Sequence, residues 1–221
     1  MARYFFSSKF GGLSTGDFAE FNLGNHVGDD QNSVAKNRTQ LKGYLSLQNL
    51  VFMNQTHGTD IVTVDKEIPT HIEADALITS ERSMGLAVLT ADCIPLLIDA
   101  GDSIAAVHVG RKGLVDGIIP CVMDALLNRG ATSLKAWLGP AICGKCYEVS
   151  PEMYDDITSN FPSAATSIGT HCLDLPAAAI NQLQGYGVQV QNFHRCTLES
   201  SSYYSYRTKA TTGRMAGVIS L

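Results

Sequence analysis

From Met84 to Gly110 the chain reads MGLAVLTADCIPLLIDAGDSIAAVHVG. Two aliphatic and β-branched runs, Leu86 to Ile98 and Ile104 to Val109, flank the polar, glycine-containing break Asp99-Ala100-Gly101-Asp102, and that pattern predicts a β-hairpin. With Ala100 and Gly101 as a two-residue loop, Asp99 pairs with Asp102 and the register places Cys93 directly opposite His108. Opposed residues share a face with Cβ atoms about 5 Å apart, so a thiolate and an imidazole there can reach one metal ion. Pro95, inside the first run, has no N–H to give a ladder, and a bulge or edge position at that point would shift the register.

Around this hairpin the chain shows no internal repeat, linker or low-complexity tract, so residues 1–221 are expected to form one domain. At 45% hydrophobic and 17% charged residues it can bury a sizeable core. Arg3 to Ser7 reads as a strand. Asp29 or Asp30 is the expected N-cap of a helix from Asn32 to Leu45. LVFMNQTHGTDIVTV reads as strand, tight turn at His57-Gly58-Thr59-Asp60, strand. A helix is expected from Leu114 to Asn128, stopped by Gly130, then a strand at KAWLG and a helix start at Ser150-Pro151-Glu152. Asp174 to Gln184 should be helical, Val188 to Phe193 and the terminal MAGVISL extended. This mixture of hairpins and helices predicts an α+β fold rather than a regular βαβ repeat.

The formal charge of -5 and the scattered lysines and arginines give no electrostatic footprint for nucleic acid. MARYFFSSKFGG lacks the apolar stretch of a signal peptide, and Asp92 interrupts the longest apolar segment, so neither a membrane span nor export is expected and the cytoplasm is the predicted compartment. In that compartment the six dispersed cysteines (Cys93, Cys121, Cys143, Cys146, Cys172, Cys196) read as thiols, with room for a metal ligand among them.

His57, Cys93 and His108 come from separate elements and together offer two imidazoles and one thiolate. That set leaves a fourth position open, as in catalytic rather than structural zinc sites. Asn54, Gln55 and His57 crowd one strand end, where a rigid sheet can support a site. On the helix, Arg38 falls within the apolar stripe of Val34, Leu41 and Leu45, where its guanidinium either meets an anion or snorkels to water. A rival set pairs His71-Ile72-Glu73 with Cys143-Gly144-Lys145-Cys146, after the H-x-E and P-C-x-x-C pattern of zinc deaminases, but Pro140 does not directly precede Cys143. As a redox dithiol the same CGKC should open a helix, and Tyr147-Glu148-Val149 intervenes before Ser150. There is no G-x-S-x-G elbow and no Walker loop, and Gly185-Tyr186-Gly187 lacks the third glycine of a dinucleotide fingerprint.

NLGNHVGDD, NQTHGTDIV, ADALIT, LAVLTADCIPLLI, VHVG, LGPAICGKCYEV and SYRTKATTGRMAG, in this order over nearly the whole chain, resemble the laccase-domain family. Its members are variously called polyphenol oxidase, purine nucleoside phosphorylase or peptidoglycan editing factor. The resemblance implies a single-domain, layered α/β/β/α sandwich with mixed sheets. It implies a mononuclear zinc, with copper as the other metal, on His57, Cys93 and His108, and phosphate or substrate contacts from Asn22, Arg38 and Gln55. The implied activity is phosphorolysis of adenosine, inosine, guanosine and methylthioadenosine to base and ribose 1-phosphate, with adenosine deamination beside it. Peptidoglycan-precursor hydrolysis and copper-dependent polyphenol oxidation are the alternatives. The implied partners are purine nucleosides and phosphate, and the implied catalytic residues His57, Cys93, His108 and Arg38. Two departures stand out. Val109-Gly110-Arg111-Lys112-Gly113 replaces the family's alanine, glycine, tryptophan, arginine, glycine, so an aromatic expected beside the metal is missing. Cys143 stands where glycine is usual, so CGKC is read as incidental.

Overall fold

The computed structural model describes residues 2–166 and 171–221. Among these described residues ten strands form two mixed sheets. In the first, β1 (Arg3–Phe6), β10 (Met215–Ser220), β5 (Met84–Thr90) and β2 (Asn49–Phe52) lie in that order. In the second the order is β3 (Ile61–Thr63), β4 (Ala76–Thr79), β7 (Ile104–Val109), β6 (Ile94–Asp99), β8 (Lys135–Leu138) and β9 (Gln189–Asn192).

The aliphatic runs are continuous because the central strands are covered on both faces. Alternate residues of each strand enter different cores. Leu86 and Val88 of β5 meet Leu77, Leu97, Ala106 and Trp137 between the sheets. Ala87 and Leu89 of the same strand turn outward to Leu23 and Leu41 under α1 (Gln31–Tyr44). In β6, Leu96 and Ile98 face the opposite way from Leu97 and pack, with Ala105 and Val107 of β7, against α2 (Arg111–Asp116), α3 (Ile118–Asn128), α4 (Pro151–Asn160) and α5 (Leu175–Gly185). Three cores thus separate four layers, the expected α/β/β/α arrangement. Among the described residues no helix is long and apolar enough to cross a membrane.

The helix starts follow the capping residues. Asp30 accepts the Ser33 N–H at 2.8 Å, Ser150 accepts from Met153 with Pro151 in the first turn, and Asp174 accepts the Ala177 N–H at 2.8 Å. The helix expected from Leu114 to Asn128 is broken in two. Gly117, at φ 93° and ψ 33°, ends α2 in a left-handed cap and starts α3 in a new direction.

Two strand expectations are corrected. Leu86 to Ile98 is not one strand: β5 and β6 belong to different sheets, and the chain crosses between them at Ala91-Asp92-Cys93. Asp92 adopts φ 94°, which no ladder accommodates. Its carboxylate holds the corner by accepting the Thr197 hydroxyl at 2.6 Å and the Arg207 N–H at 2.8 Å. The β6–β7 loop is four residues rather than two. Asp99 pairs with Ile104, and the Ala100 N–H donates to the Ser103 carbonyl at 2.9 Å. His108 therefore stands opposite Pro95, not Cys93. A slip of two residues keeps every side chain on its face, so Cys93, just before β6, still lies on the same side as His108. The strands on either side of His57 lie in different sheets: β2 runs parallel to β5 in the first and β3 parallel to β4 in the second.

Candidate metal centre

The chain passes from one sheet to the other between β2 and β3 and again between β5 and β6. The first crossing carries His57 and the second Cys93. His108 joins them from the end of β7, and the ligand atoms of the three lie within 4.8 Å of one another. His57 Nε2 is 4.0 Å from Cys93 Sγ, and the two imidazole rings meet edge to face with centroids 4.7 Å apart.

Asp75, wholly buried, organises this geometry from behind. Its carboxylate accepts the backbone N–H groups of Thr56, His57 and Gly58 at 3.1, 3.0 and 2.7 Å, and the Thr56 hydroxyl at 2.9 Å. That holds the turn in which His57 adopts φ 62°. The same carboxylate lies 2.8 Å from His108 Nδ1, which leaves Nε2 to face the cluster. A carboxylate behind a ligating imidazole fixes its tautomer and raises its basicity. The charges are mutually supporting. Burial acts to raise the Asp75 pKa, yet His108, the Gly58 N–H and Thr56 bring it down to about 2. Burial opposes a charged His108, but Cys93 and Asp75 raise it to about 9. Burial likewise opposes the Cys93 thiolate, and the two histidines bring it down to about 6.

The donor set fits a metal. It has two imidazoles and a thiolate on one side and open space on the other, and Gly110 places no side chain against it. A Cβ there would lie 2.9 Å from His57 Cδ2, 3.3 Å from Cys93 Sγ and 3.6 Å from His108 Cε1. The cluster forms one wall of a cavity of ≈ 520 Å³. Tyr147, Tyr206, Arg207, Arg214 and His26 are among its other lining residues. The Arg207 guanidinium lies over the Tyr147 ring at 4.6 Å and donates to the Glu148 carbonyl at 2.7 Å. Desolvation, with Arg214 and Arg38 close by, lowers the His26 pKa below its usual value, so His26 is neutral at pH 7 and sits beside two guanidinium groups.

The other residues singled out from the sequence fall around this cavity in different ways. Among the described residues, Arg38 meets no anionic side chain. Its Nε donates to the Leu23 carbonyl at 2.8 Å, its Nη2 lies 3.4 Å from Asn25 Oδ1, and its guanidinium stacks 4.0 Å over Phe52; burial brings its pKa down to about 10. Asn22 is wholly buried. Its Oδ1 accepts the Arg214 N–H at 2.8 Å and its Nδ2 donates to Asp29 at 2.8 Å, so it anchors the backbone that presents Arg214. Gln55 lines the cavity, but its amide exchanges both hydrogen bonds with the Leu89 backbone, at 2.7 and 2.8 Å, and so fixes the end of β5. His71 does not join Cys143 and Cys146: it lies 3.3 Å from Glu73, both largely exposed, which removes the deaminase-like set. Lys112 pairs with Asp116 on α2. The aromatic groups facing the cluster are instead Tyr147 and Tyr206. Asp75, His26, Tyr206, Arg207 and Arg214 were not singled out from the sequence, although ADALIT, NLGNHVGDD and SYRTKATTGRMAG contain them.

The model of the family described as multi-copper polyphenol oxidoreductase laccase matches residues 3–221. The chain belongs to that family. Among curated relatives, a Streptomyces griseus protein named purine nucleoside phosphorylase is 39% identical over 99% of this chain and 94% of its own length. A Haemophilus influenzae protein of the same name is 33% identical over 97% of this chain and 92% of its own. Among solved structures, Neisseria meningitidis protein NMB0706 has a TM-score of 0.89 at 32% identity, covering 100% of this chain and 94% of that one. YlmD from Geobacillus stearothermophilus has a TM-score of 0.89 at 31% identity, covering 99% of this chain and 91% of its own. The layered fold is thus the family's fold, and the His and Cys cluster gives this laccase-family chain a place for a metal.

Proposed function

We propose that this chain is a zinc-dependent purine nucleoside phosphorylase, converting adenosine, inosine, guanosine or methylthioadenosine and phosphate to free base and ribose 1-phosphate, with adenosine deamination as a second activity. The observation that carries this reading is the cavity itself: a His57, Cys93 and His108 cluster faces guanidinium groups and tyrosine rings across a space of nucleoside size. The names of its curated relatives support it.

In phosphorolysis a phosphate oxygen attacks the anomeric carbon, the bond from that carbon to the purine nitrogen breaks, and the purine leaves with the bonding electrons and takes up a proton. The residues divide this work by chemistry. Arg214 and Arg38, gathered about neutral His26, form a cationic corner for the phosphate, where planar guanidinium groups give charge-assisted hydrogen bonds. Tyr147 and Tyr206 offer aromatic faces to the base. Holding both reactants in one geometry removes much of the entropic barrier. A zinc held by His57, Cys93 and His108 supplies Lewis acidity at the cavity wall, for a substrate oxygen or for the water that deamination consumes.

The test is product analysis with adenosine, with and without phosphate. Adenine and ribose 1-phosphate should form in equal amounts only with phosphate, and inosine in either case. Arg214→Ala should raise the KM for phosphate about tenfold or more while changing that for nucleoside less. Adenine released with free ribose at an unchanged rate without phosphate would make the enzyme a hydrolase instead. Turnover of phenols under oxygen with none of nucleosides would favour the copper oxidase reading.

A further inference from the structure

A second group of ligand atoms lies away from the first. The Sγ atoms of Cys143, Cys146 and Cys196 and a carboxylate oxygen of Glu199 are all within 4.8 Å of one another. Two turns bring them together. Cys143-Gly144-Lys145-Cys146 closes with the Cys146 N–H donating to the Cys143 carbonyl at 3.0 Å. Cys196 begins a turn through Thr197-Leu198-Glu199. A bridge between Ala141 and Cys196, with the Thr197 N–H donating to the Ala141 carbonyl at 3.1 Å, sets the turns side by side. Each turn thus offers two donors three residues apart. We infer that Cys143, Cys146, Cys196 and Glu199 form a second, structural zinc site.

The donor chemistry selects the ion. Thiolates about 2.3 Å from a tetrahedral zinc stand about 3.8 Å apart, within the spread found here, and four protein donors close the coordination, as in structural rather than catalytic zinc sites. Without a cation the grouping disfavours thiolates. Desolvation and the other thiols raise the Cys146 pKa well above the usual thiol value, and desolvation is the main cause that raises that of Cys143. The Lys145 backbone N–H is turned toward Cys143 and favours its thiolate. Zinc reverses the sign of the crowding: it takes three thiolates and the carboxylate, and three thiol protons leave to solvent. Lys145 and Arg195, which line the adjacent cavity, offset the resulting negative charge.

The site has a structural consequence for the first one. Tyr147, next to Cys146, carries the aromatic wall on which Arg207 stacks. Thr197, next to Cys196, donates to Asp92, next to Cys93. A zinc binding the two turns together therefore holds two walls of the nucleoside-sized cavity in register.

The test is metal stoichiometry on the full chain, purified under reducing conditions and loaded with zinc. We expect two zinc ions per chain, falling to one in Cys93→Ala and to one in either Cys143→Ser or Cys196→Ser. Cobalt loaded into Cys93→Ala should give the strong thiolate-to-cobalt absorption of a tetrahedral multi-thiolate site, lost when Cys196→Ser is added. If the serine variants do not fold, alkylation of the wild-type chain serves: zinc should slow labelling of Cys143, Cys146 and Cys196 by about tenfold or more, read residue by residue. One zinc per chain that disappears in Cys93→Ala would overturn the inference. So would equal labelling of the three cysteines with and without zinc, or a Cys143–Cys146 disulfide persisting in the reduced preparation.

Discussion

The Asp75 carboxylate accepts hydrogen bonds from three consecutive backbone N–H groups and the Thr56 hydroxyl and faces His108 Nδ1. One side chain thereby sets both the turn that aims His57 and the orientation of His108. Asp75→Asn keeps the shape but loses the charge and puts an NH2 against some of those donors. It should lower the unfolding free energy by about 3 kcal/mol and weaken zinc binding about 10–100-fold. Urea denaturation of the zinc-free chain and competition with a zinc chelator measure the two separately, and an unchanged zinc affinity would remove Asp75 from the site. The clustered residues His57, Cys93 and His108 were readable from sequence because His and Cys are recognisable donors at strand ends. Asp75 was not, because its partners are 17 to 33 residues away and a lone aspartate before an apolar run has many local explanations. Arg214 and Arg207 escaped for the same reason, since their place in the cavity depends on a crossing from β9 back to β10 that no local pattern reveals.

At the level of elements, the site is built where strands end and the chain changes sheet. The period-two alternation in β5 and β6 was visible as continuous apolar character, yet nothing in Leu86 to Ile98 announced that the run serves two sheets except the polar Asp92. The four-residue loop at Ala100–Ser103 defeated the two-residue reading in a similar way. Asp99 and Asp102 look alike as loop flanks, and only the closing hydrogen bond from Ala100 to Ser103 decides between them. Because the slip is even, the inference that Cys93 and His108 share a face survives a wrong pairing. Gly110, which follows β7, tests this packing. Its φ of -82° and ψ of 169° suit alanine, so Gly110→Ala carries no backbone strain and restricts the unfolded chain slightly. The added methyl instead meets His57 and Cys93. Gly110→Ala should weaken zinc binding about tenfold while shifting the unfolding free energy by less than about 1 kcal/mol. A variant with full zinc affinity would show that the three ligands are not confined as described.

The whole molecule is four layers thick, and its two sheets meet along a core that includes Leu86, Leu97, Ala106 and Ile219. That packing holds the two crossings in register, so loop-borne ligands gain the rigidity of the sheets behind them. The α+β class was legible from alternating elements and capping residues such as Asp30, Ser150 and Asp174. The layer order came only with the family resemblance, because continuous apolar strands do not say which face meets which layer. The break at Gly117 was missed since glycine inside an apolar helical pattern is often tolerated. In the proposed account, what joins fold to function is the His57, Cys93 and His108 cluster, which would hold a metal that serves phosphate-dependent cleavage of nucleosides. The most direct measurement is ribose 1-phosphate formation from inosine by zinc-loaded wild-type and Cys93→Ala chains, with far-UV circular dichroism confirming that both are folded. The account predicts at least an about hundredfold loss in the variant, since Cys93 supplies the only thiolate of the set. A folded Cys93→Ala chain that forms ribose 1-phosphate at the wild-type rate would contradict it.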